Sequence, residues 1–219
     1  MRKPRPCSLT SRAQARIRAV LCCWTQRATF WGATPGGGPV PGGYGTVYEL
    51  VNSSGKYTQR ILHTFGATGD GVNPYGGVIM DSAGNLYGTT NKGGSAGNGT
   101  AFELVNSGGG YTEKVLYSFG ATASDGANPE SALVMDSAGN LFGTTAAGGA
   151  SGFGTVFELV NTAGTYTEKV LHSFAGSPSD GQFPLALLTD SSGNLYGATN
   201  GGASQNYGAI FELVNASGN

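Results

Sequence analysis

Cysteine is nearly absent: the chain has three, Cys7, Cys22 and Cys23, all before residue 24. Everything after them holds neither a disulfide framework nor a cysteine-based zinc site. Charge is scarce too, at 11% of residues. It is also unevenly placed. Residues 1–29 carry seven of the twelve Lys and Arg and no acid. The remainder carries five basic and thirteen acidic residues, a net charge of −8. That acidic remainder has no basic stripe and so excludes nucleic-acid binding. No apolar run approaches the roughly 18 residues of a transmembrane helix. The longest apolar patch of the leader, 19–24, is too short and too interrupted by arginine for a secretory signal.

Glycine, by contrast, is abundant, at 39 residues, and it recurs in a pattern. Glu-Leu-Val-Asn occurs at Glu49, Glu103, Glu158 and Glu212, in steps of 54, 55 and 54 residues. Asp-Ser-(Ala/Ser)-Gly-Asn-Leu occurs at Asp81, Asp136 and Asp190, and Asp-Gly at Asp70, Asp125 and Asp180. Coincident markers in one frame define a tandem repeat of about 54 residues. The expected organisation is a basic leader over 1–29, either disordered or a start set upstream of the array. A partial copy follows at 30–74, then copies at 75–129 and 130–183, and a partial copy at 184–219.

Each period holds four short β-type runs separated by Gly-, Asn- and Asp-rich turns, with no helical stretch. Two of them, such as Thr46–Val51 and Tyr57–Phe65, flank a short polar link containing Gly55 and read as an antiparallel hairpin. Both faces of these runs carry apolar groups. Phe157 and Leu159 share one face of their strand, Val156 and Val160 the other. A unit buried on both sides needs neighbours on both sides. The expectation is therefore an all-β fold of four-stranded propeller blades, with a parallel β-helix as structural rival. Fourteen strands make about three and a half blades, an open or incomplete ring.

The polar residues read as fold chemistry. Asp70, Asp125 and Asp180 offer one acid per loop, with Glu130 a second in one copy only. That is too few oxygens for a calcium site, and Asp-Gly is a common turn pair. Asp81, Asp136 and Asp190 cap turns. Glu49, Glu103 and Glu158 are expected to pair with Arg60, Lys114 and Lys169 on the neighbouring strand. His63 and His172 occupy a position held by Tyr117 in the middle copy, which suggests aromatic packing. No catalytic, cofactor-binding or metal-binding residue is expected, and no binding residue is identified.

The unit Asp-Ser-Ala-Gly-Asn-Leu-Tyr-Gly-Thr-Thr … Gly-Thr-Val-Phe-Glu-Leu … Tyr-Thr-Glu-Lys-Val-Leu resembles the GloVer (Gloeo/Verruco) tandem repeat of bacterial surface proteins, over about Phe30 to Asn219. The resemblance implies propeller-like repeats in exported, secreted or cell-surface proteins, and carries no catalytic residues. The leading expectation is a non-catalytic extracellular interaction or structural module. Its partners would be protein or surface polymer at the blade rims, or a second copy completing a ring. A propeller enzyme acting on polysaccharide or a quinone-dependent substrate is the rival, and a truncated array without independent function a third reading. An enzyme should show one blade whose polar residues its neighbours do not match.

Overall fold

The computed structural model describes residues 29–39 and 42–215. The leader and its three cysteines lie outside the described residues, as does the terminal stretch 216–219. Among the described residues no helix is long and apolar enough to cross a membrane.

The described residues form a β-propeller type array of four successive antiparallel blades, in which a separate two-stranded sheet, the fifth sheet, belongs to the second blade. The first blade holds β1 (Phe30–Thr34), β2 (Thr46–Ser53) and β3 (Lys56–Thr64). The second begins with two short segments, β4 (Gly71–Val72) and β5 (Ile79–Met80). It continues through β6 (Leu86–Thr90), β7 (Lys92–Gly93), β8 (Thr100–Asn106) and β9 (Tyr111–Ser118). The third has β10 (Gly126–Pro129), β11 (Val134–Met135), β12 (Leu141–Gly148), β13 (Thr155–Thr162) and β14 (Thr165–Ser173). The fourth has β15 (Gly181–Thr189), β16 (Leu195–Gly202) and β17 (Ile210–Leu213). The first blade lacks an opening strand and the fourth an outer strand, among the described residues. The described residues make about three and a half blades, an open or incomplete ring.

The turns form for local reasons. Asp81 Oδ1 accepts from the backbone N–H of Ala83 and Asn85, and its Oδ2 accepts from the Asn85 amide. Asp136 and Asp190 repeat the same three bonds. These side chains replace backbone partners that a tight turn cannot supply.

The core lies between blades. One cluster joins Val47 and Phe65 to Val78, Leu86, Phe102 and Leu104 of the next blade. A second joins Ala101 and Phe119 to Leu141, Phe157 and Leu159. At each junction a phenylalanine just past the outer strand meets one from the next blade. Ring centroids are 5.1 Å apart for Phe65–Phe102, 4.9 Å for Phe119–Phe157 and 5.2 Å for Phe174–Phe211. Gly143 makes room for this packing: a Cβ there would stand 2.5 Å from Phe157 Cζ. The mutual burial explains why one repeat is not a stable unit.

Strict alternation fails in one respect. A bulge interrupts the hairpin in three blades, at Val47/Tyr48, Ala101/Phe102 and Val156/Phe157. The extra residue on the outer strand shifts its register. His63 therefore stands opposite Val47, and Ile61 opposite Tyr48.

Candidate functional site

The outer strands β9 and β14 each face the loop that leaves the blade before. At the first junction this brings together His63 from the end of β3, Asp70 from the following loop, and Glu113 from β9. His63 Nε2 lies 3.4 Å from Asp70 Oδ2 and 3.9 Å from Glu113 Oε2. Asp70 is buried, and its carboxylate also accepts from the backbone N–H of Gly66 (2.9 Å) and Gly71 (2.6 Å). The His63 ring meets Phe65 edge-on at 4.6 Å. The expected aromatic packing is there, and the ring nitrogen has a polar task besides.

The two carboxyls divide one proton. Burial first, then hydrogen bonding and repulsion from Asp70, push the Glu113 carboxyl up to about 8. Burial opposes ionisation of Asp70, but hydrogen bonds from His63, Glu113 and the Gly66 N–H outweigh it and hold that carboxyl below its usual range. Two neighbouring acids with environments that separate their affinities act as one donor and one acceptor. An ionised Asp70 only accepts, so the proton between the two sits on His63 Nε2. Glu113 Oε1 is buried without a hydrogen-bond partner among the described residues.

The other junctions differ. At the second, Tyr117 replaces the imidazole, and its hydroxyl donates to Asp125 Oδ2 at 3.0 Å. Glu168 faces this pair, pushed up to about 7 by burial and by Asp125. At the third, His172 Nε2 lies 3.1 Å from Asp180 Oδ2, with no described carboxylate from a following blade. Histidine, aspartate and glutamate thus converge once among the described residues.

Could the trio hold a cation? Its ligand atoms lie within 4.8 Å of one another. The donors present favour proton sharing instead: Asp70 is committed to two backbone N–H groups, and Glu113 retains its proton at neutral pH. Millimolar calcium or zinc is therefore expected to leave the thermal unfolding midpoint unchanged. A rise at pH 8 that disappears in Glu113→Gln would make the trio a ligand set.

The remaining sequence expectations fall elsewhere. Glu49 pairs with Arg60 at 3.0 Å, Glu158 with Lys169 at 3.7 Å and Glu103 with Lys114 at 4.0 Å. All three are surface pairs of small energetic weight. Glu130 accepts from the Asn91 amide at 3.0 Å, beside a pocket of about 360 Å³ lined also by Tyr75, Phe183 and Asn200. It stands there as a single acid without the proton-sharing partner that Glu113 has. Sequence reasoning passed over Glu113 and Glu168. Their signal was the recurring Tyr-Thr-Glu-Lys, but what faces them lies one blade away.

Solved structures similar to the chain include the following two. One is described as a gluconolactonase and was solved in a structural genomics programme. It is 17% identical, with a TM-score of 0.49 over 88% of this chain and 57% of that one. The other is a gluconolactonase of Xanthomonas campestris, 13% identical, with a TM-score of 0.49 over 86% of this chain and 55% of that one. The chain thus spans a little over half their length, and at these identities the activity in their names is theirs. No curated protein matches the sequence.

The expectation of a non-catalytic module, and of no enzyme, is corrected at this point. The matching structures are described as enzymes. The physical reason the sequence misled is that its blades look interchangeable, whereas their junctions are not. The model of the Gloeobacter/Verrucomicrobia repeat matches residues 19–219, and the chain belongs to that family.

Proposed function

We propose that the chain is a propeller-type hydrolase that adds water to an ester or lactone, with His63, Asp70 and Glu113 as its acid–base centre. The observation that carries this reading is the convergence of His63, Asp70 and Glu113 at one blade junction, their ligand atoms within 4.8 Å of one another and His63 Nε2 3.4 Å from Asp70 Oδ2. In this scheme His63 Nδ1 takes a proton from water as its oxygen adds to the acyl carbon. The acyl C–O bond then breaks, and the Glu113 proton passes to the departing oxygen. The proton taken up at His63 Nδ1 then passes through solvent water to the Glu113 carboxylate, which restores both groups and closes the cycle.

Glycoside cleavage is disfavoured. It needs two carboxyls about 5–9.5 Å apart with room for the sugar between them, whereas oxygens of Glu113 and Asp70 lie within 4.8 Å of one another with the His63 ring nitrogen beside them. The reading includes a location outside the cell, supported by the resemblance to exported bacterial repeat proteins.

The test is proton release from a panel of aldonolactones and simple esters, with the purified full chain. Turnover is expected to drop about a hundredfold in His63→Gln, the usual scale for losing an acid–base group. Glu168→Gln, at the tyrosine junction, should leave it within a factor of two or so. No turnover by the full chain on any substrate of the panel would overturn the reading.

A further inference from the structure

We infer that the pocket lined by Tyr75, Glu130, Phe183 and Leu185 is a binding site for a small organic cation with an apolar body, such as a quaternary ammonium group on an aromatic ring. The pocket encloses about 360 Å³, within the size range of small-molecule sites. Its walls come from three consecutive blades. Tyr75 stands in the loop between β4 and β5, Glu130 in the loop between β10 and β11, and Phe183 and Leu185 on β15. None of His63, Asp70 and Glu113 lines it, so it is separate from the proposed acid–base centre.

Two departures from the repeat meet here. Asn73, Asn128 and Phe183 are equivalent positions, each just before a proline. All three take the left-handed backbone conformation, at φ 60°, 58° and 57°. Each donates its backbone N–H to the loop before it, to the carbonyls of Tyr44, Asn98 and Phe153. Asparagine suits that conformation, and the two amides reach on to the carbonyls of Pro35 and Asn91. A phenylalanine there is strained. It also has no amide for the equivalent carbonyl, that of Ala146. Its ring instead meets Phe153 edge-on at 6.2 Å and forms part of the pocket wall. Strain of this kind clusters where a side chain serves a ligand. The residue after the proline differs as well, being Tyr75, Glu130 and Leu185 in turn. The prolines, which serve the fold, are the same in all three copies.

The lining selects the ligand. Glu130 is its one charged residue. The Asn91 amide donates to Glu130 Oε1 at 3.0 Å, which fixes the carboxylate and uses one of its oxygens. Tyr75, Phe183 and Leu185 supply apolar surface and two aromatic rings. A carboxylate beside aromatic rings attracts a cation twice, by its charge and by the ring quadrupole. An anion would meet Glu130 with no basic residue in the lining to offset it. A neutral ligand of the same shape gains the apolar part alone.

The probe is benzyltrimethylammonium, titrated by calorimetry into the full chain, with benzyl alcohol and methyl glucoside as neutral comparisons. Saturable binding of the cation is expected, about tenfold tighter than either neutral compound. Glu130→Gln retains an acceptor for the Asn91 amide and should weaken the cation about tenfold. Phe183→Asn restores the residue of the other copies. It should raise the thermal midpoint by about 2–4 °C as the strain is relieved, and weaken the cation about as much as Glu130→Gln does. A lower midpoint in Phe183→Asn would make the ring part of the fold and overturn the inference. So would absence of cation binding, a neutral compound bound as tightly as the cation, or cation binding that either variant leaves unchanged.

Discussion

Phe157→Ala is expected to cost about 3–5 kcal/mol in urea unfolding, the range for deleting a buried phenyl ring. Phe157 is completely buried, stacks on Phe119 at 4.9 Å, and lies across Gly143. The glycine cannot fill the vacated space, and the second and third blades both lose contacts. A domain of this kind holds only about 5–15 kcal/mol in total. A single ring is thus a large share, and the midpoint should move well below that of the wild type. Tyr207→Ala, at a ring 87% exposed, should stay within about 0.5 kcal/mol. Similar losses for both would contradict a core placed between blades.

Stability is expected to fall between about pH 4.5 and pH 8, in a window set by Glu113. Its folded carboxyl holds its proton up to about 8, against 4.5 for an ordinary glutamate. The folded state therefore binds more protons than the unfolded chain across that interval, so stability declines as pH rises through it. The contribution is full below the unfolded value and gone above the folded one. Allowing for partial solvent screening, the loss is on the order of 2 kcal/mol. Glu113→Gln keeps the shape and removes the charge, so it should flatten most of the decline and be the more stable protein at pH 8. The residual slope belongs to Glu168, pushed up to about 7. The lowered carboxyls act in the opposite sense. Asp70, Asp81 and Asp180 contribute stability above their unfolded values, which is lost as pH falls below about 3.8. Denaturant midpoints measured from pH 3 to pH 9 separate the two windows. An unchanged slope in Glu113→Gln would contradict the shared proton.

Much of the fold was legible because the repeat reports its own frame. Asp81, Asp136 and Asp190 read as turn caps, and each makes the same bonds to the chain just ahead. The apolar residues on both faces of Val156–Val160 implied a neighbour on each side, and Val156, Phe157 and Leu159 are fully buried. Local chemistry repeated at a fixed step leaves a visible trace. The bulges left none, since the extra residue has no signature of its own among Val, Leu and His.

The site was hidden for a different reason. Glu113 recurs as Glu168 and reads as one more strand carboxylate. Its meaning lies in Asp70, 43 residues earlier in the chain and in the loop leaving another blade. His63 looked like a packing residue because Tyr117 replaces it, and the ring does pack on Phe65. The substitution conceals a change of chemistry. Both groups bond the loop aspartate, but one is a phenol and the other an imidazole, the side chain that acid–base chemistry most often uses. A period shows which residues are equivalent; it does not show what faces them across a blade junction.

The measurement that bears most directly on the catalytic reading is the pH dependence of turnover on an ester or lactone substrate, for the wild type and Glu113→Gln. Glu113 must carry its proton to serve as acid, so wild-type kcat should fall as pH rises through about 8. Glu113→Gln should lose about a hundredfold at pH 7 and show no such limb. A profile flat through pH 8, or a Glu113→Gln variant as active as the wild type, would contradict the assignment of the first blade junction as the catalytic centre.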